Sequence, residues 1–152
     1  MGDDPNTGGR GLRLDHFLPY RLSVASNAVS TRISKAYRDR FDLKITEWRL
    51  IAILAEAERL TPQALAAATR MDKISVSRAA KALQERGLVA VAANGEDGRS
   101  HFLSLTPAGD ALYAQIAPEA LAMESSLLAD FTAEERAVME ALLRRIEAAA
   151  GS

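Results

Sequence analysis

The segment from Thr61 to Thr106 constrains the fold of this chain more than any other. A threonine followed by a proline places a hydroxyl cap and a pre-set φ at the start of an Ala-rich helix, which is expected to end near Arg70. Asp72 offers a second N-cap, and a helical pattern runs from there to Gly87, a residue type that often ends helices. Two short helices joined by a tight turn predict a helix-turn-helix.

The second helix has two chemically different faces when its residues are spaced at about 100°. One stripe is apolar or small and is expected to pack inward: Val76, Ala79, Ala80, Leu83 and Gly87. The opposite side is expected to face outward: Ile74, Arg78, Lys81 and Glu85, flanked by Ser75 and Ser77. An isoleucine on this polar face fits contact with a thymine methyl group, or equally a stray exposed aliphatic side chain.

Beyond the second helix the periodicity changes, and two alternating runs, Leu88–Ala92 and His101–Leu105, predict a β-hairpin. A hairpin beside a helix-turn-helix is a wing, and Arg99 in its Gly-rich tip is expected to enter a minor groove of DNA. An ordinary solvated turn is the alternative. Asp97 would repel phosphate if it stood alone, so we expect it to support the wing by pairing with one of three arginines: Arg99, Arg70 or Arg86.

Two motifs in this segment carry a family resemblance. Asp97-Gly98-Arg99 is followed, after five intervening residues, by Leu105-Thr106 and Gly109, and the helix pattern Asp72…Ser75-Val76-Ser77-Arg78 leads to Gly87-Leu88-Val89. Together they resemble the wing and recognition helix of the MarR family of bacterial transcription regulators. The resemblance extends over nearly the whole chain after residue 12. The chain departs from the pattern at Gly98, where a second arginine is frequent, and at Ala90-Val91, so its wing is less basic.

Composition fits a DNA-binding protein only when charge is examined by region. The 152 residues suit one globular domain, 48% hydrophobic and 26% charged, with a net charge of −1. From residue 70 to 99 there are six Lys or Arg against four Asp or Glu, whereas from residue 107 to the end there are three against eight. The acidic C-terminal third is therefore expected to face away from phosphate.

The residue inventory excludes several kinds of chemistry. The chain has no cysteine, which removes thiol sensing, disulfides and Cys-ligated zinc. It has no apolar run near the roughly 20 residues that a bilayer requires, and no hydrophobic segment of a signal peptide, so a cytoplasmic location without membrane partners is expected. No metal-ligand spacing is present, and no cofactor is expected.

Helical segments flank the DNA-binding lobe and divide the chain into regions. Residues 1–11 are expected to be a mobile tail, residues 43–106 the winged helix-turn-helix lobe, and residues 12–42 and 107–150 a helical dimerisation region. The fold class is therefore mainly α with a two-stranded β wing. Its first long helix is expected over residues 19–40, and Thr46 is expected to cap the next, with Trp48, Ile51 and Leu54 on one side.

The C-terminal helices carry their own signals. Thr106 and the following proline predict a helix start, while Pro118 predicts a kink or break near Ala117. Thr132-Ala133-Glu134-Glu135 is a capping box for a last helix that is expected to bury Val138, Leu142 and Ile146. The apolar surface of the first and last helices exceeds what a small winged helix needs, which favours a twofold homodimer over a monomeric core. A dimer would bind a pseudo-palindromic operator.

Two other function classes are alternatives to a DNA-binding regulator. An enzyme is disfavoured because the two histidines, His16 and His101, neighbour no nucleophile and Gly8-Gly9-Arg10-Gly11 lacks the lysine and hydroxyl of a phosphate-cradling loop. A winged helix that contacts only protein is the second alternative. The retained basic side chains of the outward face and wing favour double-stranded DNA, with base or phosphate contacts expected from Lys73, Ile74, Ser75, Ser77, Arg78, Lys81 and Arg99.

Further roles follow from the helix-turn-helix pattern and from the resemblance. Thr61 and Gln63, at the start of the first short helix, are expected to contact the DNA backbone. The MarR resemblance implies a regulator, in many members a repressor released by a small phenolic or anionic effector bound between the dimer helices and the DNA-binding lobe. Five side chains lie on elements that would line such a cleft, although core or surface roles are the alternative for each: His16, Tyr20, Arg21, Trp48 and Tyr113.

Overall fold

The computed structural model describes residues 11–96, 98 and 100–151. After a single 3-10 turn, Leu14–His16, the chain forms six α-helices and three β-strands over the described residues. In chain order they are α1 (Leu18–Phe41), α2 (Ile45–Ala57), β1 (Arg59–Leu60), α3 (Pro62–Thr69), α4 (Lys73–Glu85), β2 (Val89–Ala93), β3 (His101–Leu105), α5 (Pro107–Leu127) and α6 (Ala133–Ala150). The predicted mainly helical fold with a β wing is confirmed.

Helix α1 follows the expected bounds and ends at a sharp backbone reversal. Asp42 adopts a left-handed conformation with φ of 52°, and its N–H donates to the carbonyl of Arg38 at 3.1 Å. The next amide, Leu43 N–H, returns to the carbonyl of Tyr37 at 3.3 Å. These bonds satisfy carbonyls that a helix end otherwise leaves without partners, so α1 has a well-defined stop.

The expectation that Thr46 caps the second helix is wrong. Helix α2 begins at Ile45, with Lys44 at the N-cap, and the N–H of Lys44 donates to Glu47 Oε1 at 2.8 Å. A carboxylate three residues into the helix satisfies the end amide, so a hydroxyl cap is not required. Glu47 is buried by this arrangement, and the same helix supplies Leu50, Ile51 and Leu54 to the core.

The sheet has one strand more than the predicted wing. Strand order is β1-β3-β2, antiparallel throughout, with Leu60 opposite Leu103 and Val89 opposite Leu105. Strand β2 begins one residue later than expected because the N–H of Leu88 still donates to Leu83 at the end of α4, at 2.9 Å. The two-residue strand β1 is too short to give a periodic signal, and only its pairing with β3 reveals it.

The core of the DNA-binding lobe lies where α2, α3, α4 and the sheet meet. The side chains buried there are almost entirely aliphatic: Leu43, Leu50, Ile51, Leu54, Leu65, Val76, Ala79, Ala80, Leu83, Leu88, Val89 and Leu103. Burying one Leu or Val side chain is worth about 1.5–3 kcal/mol, so this cluster is what fixes α4 against its support.

The chain separates into two compact units, the first ending at Tyr113 and the second starting at Ala114. The boundary lies within α5, which is one continuous helix that includes Pro118. Of the two outcomes expected at this proline, a break is therefore excluded. Thr106 caps α5 as predicted, since its Oγ1 accepts from the N–H of Gly109 at 3.1 Å.

The predicted capping box of α6 is confirmed, whereas the apolar stripe expected to be buried is not buried within the single chain. Thr132 N–H donates to Glu135 Oε2 at 2.9 Å, and Thr132 Oγ1 accepts from the N–H of Glu135 at 3.1 Å. Val138, Leu142 and Ile146 are 57%, 46% and 42% exposed in the single chain. One amphipathic helix cannot bury its own stripe, and none of the α6 residues is buried. Among the described residues, no helix combines the length and apolarity that a membrane span requires.

Candidate nucleic-acid interface

The start of α4 is fixed by a doubly hydrogen-bonded cap. Asp72 Oδ1 accepts from the backbone N–H of Ser75 at 2.8 Å, and Asp72 Oδ2 accepts from Ser75 Oγ at 2.7 Å. The hydrogen bond from the Ser75 hydroxyl, followed by that from its amide, lowers the pKa of the Asp72 carboxyl below its usual value. The first turn of α4 is therefore held rigid in the conformation that presents its side chains outward.

The two faces of α4 separate as the sequence predicts, except that Gly87, expected on the inward stripe, lies beyond the helix end and is exposed. Val76, Ala79, Ala80 and Leu83 are buried. Six of the seven α4 residues expected to face outward or to contact DNA are exposed, namely Lys73, Ile74, Ser77, Arg78, Lys81 and Glu85. Ile74 is 65% exposed, so an aliphatic side chain stands among cations without any core to cover it. Ser75 is half-buried, and its hydroxyl proton is committed to Asp72.

The two expected backbone-contact residues at the start of α3 differ in their surroundings. Thr61 is half-buried, and its Oγ1 accepts from the N–H of Ala64 at 3.1 Å, which makes it the N-cap of α3. Gln63 is exposed on the first turn. Gln63 therefore keeps its amide available to a ligand, while the Thr61 oxygen already serves the helix.

A groove between α4 and β3 adds residues that the sequence did not single out for binding. It encloses about 470 Å³ above a floor that includes Val76, Ala80 and Leu103. Its rim is polar and carries Ser77, Lys81, Gln84 and His101. Gln84 and His101 share this rim because residues of α4 and β3 line the same groove, a tertiary arrangement that neither helical nor strand periodicity contains.

The base of the wing is described, whereas Asp97 and Arg99 at its tip are not. Asn94 Nδ2 donates to Ser100 Oγ at 2.9 Å, and Asn94 Oδ1 accepts from the N–H of Glu96 at 3.1 Å. These bonds close the hairpin just above β2 and β3. Asp97 and Arg99 lie outside the described residues, so their predicted roles stay predictions. The pairing of Asp97 with Arg70 also stays a prediction. Arg70 itself is exposed and adopts a left-handed conformation at the end of α3.

Two arginines of the lobe have contacts that sequence analysis missed. The guanidinium of Arg59 lies 4.5 Å from the ring centroid of Phe102, a cation–π contact between β1 and β3. Arg86, considered above as a partner of Asp97, donates from Nη1 to the carbonyl oxygen of Asp42 at 2.7 Å and from Nη2 to that of Phe41 at 3.4 Å. The end of α4 is thereby joined to the end of α1.

The junction of α4, β2 and α5 is unusually close. Thr106 N–H donates to the carbonyl of Leu88 at 3.1 Å, and Thr106 Oγ1 donates to the carbonyl of Gly87 at 2.6 Å. Gly109 is buried against the same Leu88 carbonyl, so closely that a Cβ at residue 109 would overlap its oxygen. The lack of a side chain there lets α5 begin directly on the backbone that follows the recognition helix.

Of the five effector candidates, the structure brings two together. Trp48 and Tyr113 are stacked with ring centroids 6.0 Å apart, and Tyr37, which was not a candidate, lies 5.5 Å from Trp48. Tyr37 is buried, and desolvation raises the pKa of its phenol. His16, Tyr20 and Arg21 are exposed, in the 3-10 turn and the first part of α1. Within the described residues, no group of three or more His, Asp or Glu side chains could hold a metal ion.

A helix-turn-helix whose second helix presents a cationic face, followed by a β-hairpin, defines the winged helix-turn-helix class. The family model described as MarR family matches residues 41–100, which span α2 to the wing. Over these residues the chain is similar to the MarR family of transcriptional regulators, in agreement with the resemblance carried by its recognition-helix and wing motifs. This family consists of regulators rather than enzymes, in agreement with the interpretation of the sequence.

Solved structures extend the likeness over most of the chain. A MarR/EmrR family transcriptional regulator from Acinetobacter sp. ADP1 is 28% identical, with a TM-score of 0.84 over 92% of this chain and 99% of the other. Two further structures share the fold at 22% identity. One is a mutant MarR from E. coli complexed with operator DNA, with a TM-score of 0.78 over 85% of this chain and 92% of the other. The other is Bordetella bronchiseptica BpsR, whose DNA binding is regulated by 6-hydroxynicotinic acid, with a TM-score of 0.83 over 89% and 96%.

Proposed function

We propose that this protein is a sequence-specific repressor that binds a pseudo-palindromic operator in double-stranded DNA as a homodimer. The observation that carries the proposal is the outward face of α4. Lys73, Arg78 and Lys81 are exposed there beside Ile74, while the opposite face is buried in the lobe. A rigid helix with a cationic, hydrogen-bonding and partly apolar face matches the major groove in width and chemistry.

The N-terminal half of α4 is the part that reads bases. In a helix-turn-helix the first turns of the second helix lie deepest in the groove. Arg78 offers a bidentate donor pair to guanine, Ser77 a hydroxyl to either base type, and Ile74 an apolar contact to a thymine methyl group. Lys73 and Ser75 lie at the start of the helix. From there a side chain can reach either the base edges or the backbone phosphates. Ser75 retains its oxygen as an acceptor because only its proton is bound by Asp72.

Backbone phosphates are the proposed partners of the remaining cations. Lys81 is one helical turn beyond Arg78 and borders the groove next to β3, a position that suits the DNA backbone between major and minor grooves. Gln63 on α3 and Arg99 in the wing would extend this contact to either side. Each neutralised phosphate releases about 0.9 counterion in B-DNA, so affinity should fall steeply with salt.

Lys81→Ala measures this contribution directly. The variant should lower the slope of log K against log salt by about one unit and weaken binding almost equally for operator and random DNA. Lys35→Ala is the matched control, since Lys35 is an exposed lysine of α1 that pairs with Asp39 at 3.4 Å, remote from α4 in the sequence. Equal slopes for wild type and Lys81→Ala would exclude this phosphate contact.

Homodimerisation is proposed from the apolar stripe of α6. This stripe consists of Val138, Leu142 and Ile146, which are spaced four residues apart. Leu143 lies beside them and is itself 42% exposed. A contiguous apolar stripe on an eighteen-residue helix is typical of a protein–protein contact. A second copy presents the same stripe around a twofold axis, and such an isologous contact needs no other partner.

The dimer is tested by light scattering at several protein concentrations. Leu142→Glu places a charge in the stripe and should give a monomer that no longer binds a two-half-site operator tightly. Ala137→Glu adds the same charge to the opposite face of α6 and should leave the dimer intact. A dimeric Leu142→Glu protein would remove α6 from the proposed interface.

The proposed effector is a small aromatic acid. Trp48 stacked on Tyr113, with Tyr37 close by, provides flat aromatic surface within the first compact unit, and the structural relative from Bordetella bronchiseptica responds to 6-hydroxynicotinic acid. An effector that releases DNA must bind one dimer geometry more tightly than another. Thermal-shift titration with 6-hydroxynicotinic acid and salicylic acid, followed by DNA-binding measurements at saturation, tests the proposal. No stabilisation by either acid would count against it.

The decisive experiment for DNA recognition is selection of bound sequences from random DNA with the purified full-length protein. An enriched inverted repeat with half-sites about 10 base pairs apart supports dimeric recognition. An enriched single half-site supports DNA recognition without the proposed dimer. Recovery of no motif at low salt would favour a winged helix that contacts protein only. A promoter–reporter carrying the selected site then separates repression from activation.

A further inference from the structure

We infer that Arg86 is a positioning residue that sets the angle between the recognition helix α4 and helix α1, and so the spacing of half-sites that the dimer accepts. The inference rests on the proposed dimeric function. Arg86 itself touches no base in this assignment, because it is the last residue before Gly87, at the end of α4 remote from the base-reading turns.

The guanidinium of Arg86 spans two helix ends that are distant in sequence. Nη1 lies 2.7 Å from the carbonyl oxygen of Asp42, and Nη2 lies 3.4 Å from that of Phe41. These carbonyls stand at the C-terminus of α1, where the helix leaves its last acceptors without amide partners and its dipole is negative. A planar cation with paired donors matches this site in both charge and geometry.

Both helix ends that Arg86 joins are themselves rigid. On the α4 side, Arg86 N–H donates to Ala82 at 3.2 Å, and Gly87 turns the chain with φ of 71°. On the α1 side, the left-handed Asp42 ends the helix, and the buried ring of Tyr37 packs one turn earlier against Trp48. The guanidinium therefore links two fixed backbones rather than two mobile loops.

Loss of Arg86 should affect orientation more than folding. Helix α4 keeps its buried stripe of Val76, Ala79, Ala80 and Leu83, so it remains packed when the guanidinium is removed. What it loses is the polar link to α1, which in the proposed dimer belongs to the region that relates one protomer to the other. The two recognition helices would then sample a wider range of separations.

Half-site spacing is the measurable consequence. Inserting one base pair between half-sites rotates them by about 34–36° because 10–10.5 base pairs complete a turn. The wild-type protein should lose about 5- to 150-fold in affinity for the inserted site, which is the loss expected when one base contact is removed. Arg86→Ala should reduce this spacing penalty at least about threefold, while the penalty for a mutated half-site base stays unchanged.

Two variants complete the spacing experiment. Arg86→Lys keeps the charge but not the paired donors, so its spacing penalty should lie between those of wild type and Arg86→Ala. Arg49→Ala, which removes an exposed arginine from α2, should keep the wild-type penalty. A spacing penalty that is the same in wild type and Arg86→Ala would overturn the inference. A wild-type protein with no spacing preference would instead contradict the proposed function on which it rests.

A second measurement needs no DNA and covers the case in which Arg86→Ala binds too weakly to assay. The chain contains no cysteine, so Lys81→Cys provides a single spin-label site on each recognition helix. Electron–electron distance measurements on the dimer should give a broader distribution in Arg86→Ala than in the otherwise identical Arg86 protein. Equal widths in two folded samples, checked by thermal unfolding, would overturn the inference, and the absence of any intermolecular distance in the Arg86 protein would contradict the dimer.

Discussion

Replacing Gly109 by alanine should destabilise the protein, although alanine is the better helix former. In an open helix position this change gains about 0.5–1 kcal/mol. At residue 109, however, the new Cβ would overlap the carbonyl oxygen of Leu88 and approach Leu105 Cδ2 to 3.2 Å. The obstacle is a backbone group, so no side-chain rotation relieves it.

The size of the effect follows from how firmly that carbonyl is held. Leu88 O accepts from Thr106 N–H at 3.1 Å, and the neighbouring Gly87 O accepts from Thr106 Oγ1 at 2.6 Å. Relieving the overlap must displace the start of α5 and stretch these bonds. Overpacking of this kind costs about 1–3 kcal/mol, which exceeds the gain in helix propensity. Subtracting the propensity gain leaves a net loss of up to about 2.5 kcal/mol, and at about 2–4 °C per kcal/mol for a chain of this length a Tm decrease of up to about 10 °C is expected.

Thermal and urea unfolding of Gly109→Ala and wild type at equal protein concentration provide the assay. Gly95→Ala is the matched control because a Cβ at Gly95 meets no atom within 4 Å and its φ is not positive, so its stability should stay within about 0.5 kcal/mol of wild type. A Gly109→Ala protein as stable as wild type, or more stable, would show that helix propensity dominates and that the close approach to Leu88 has no energetic weight.

Two further predictions concern the cap of α4 and the aromatic cluster. Asp72→Ala should lower the free energy of unfolding, and Asp72→Asn should lower it less, because asparagine still accepts from the Ser75 amide. Since the folded-state pKa of Asp72 lies below the ordinary 3.8, its ionised form stabilises the fold above pH 3.8. The difference in free energy of unfolding between wild type and Asp72→Asn should therefore vanish as pH falls through the lowered pKa. A difference that increased at acid pH would contradict this direction of the pKa shift. Trp48 is the single tryptophan, so an effector that binds on its ring should change the intrinsic fluorescence. Trp48→Phe should weaken binding of that effector without altering the salt slope of DNA binding.

Local chemistry made the DNA-binding lobe predictable. Thr61 and Asp72 are caps whose side chains bond amides three residues away, and the 3.6-residue stripe of α4 separates its faces without help from the rest of the chain. These signals depend only on neighbours in sequence. The predicted outward face of α4 and the buried stripe from Val76 to Leu83 are confirmed for this reason.

Other features depend on distant residues and left no local signal. Arg86 meets carbonyls 44 and 45 residues away, and strand β1 exists only through its pairing with β3. The cap of α2 was misassigned because a threonine stood near the boundary while a carboxylate inside the helix satisfied the amide. The burial expected for the α6 stripe does not occur within the single chain, because periodicity identifies an apolar face but not the surface that covers it.

The proline in α5 has a consequence for how that helix opens. Proline has no amide hydrogen, so the carbonyl four residues before Pro118, that of Ala114, receives no helical hydrogen bond. Ala114 is also the first residue of the second compact unit. Helix α5 therefore lacks one backbone hydrogen bond at the residue where the two compact units divide. Opening of the helix on one side of this residue has no hydrogen bond here through which to extend to the other side. Amides before and after the gap should exchange with solvent as two separate cooperative groups, each protected by its own unit.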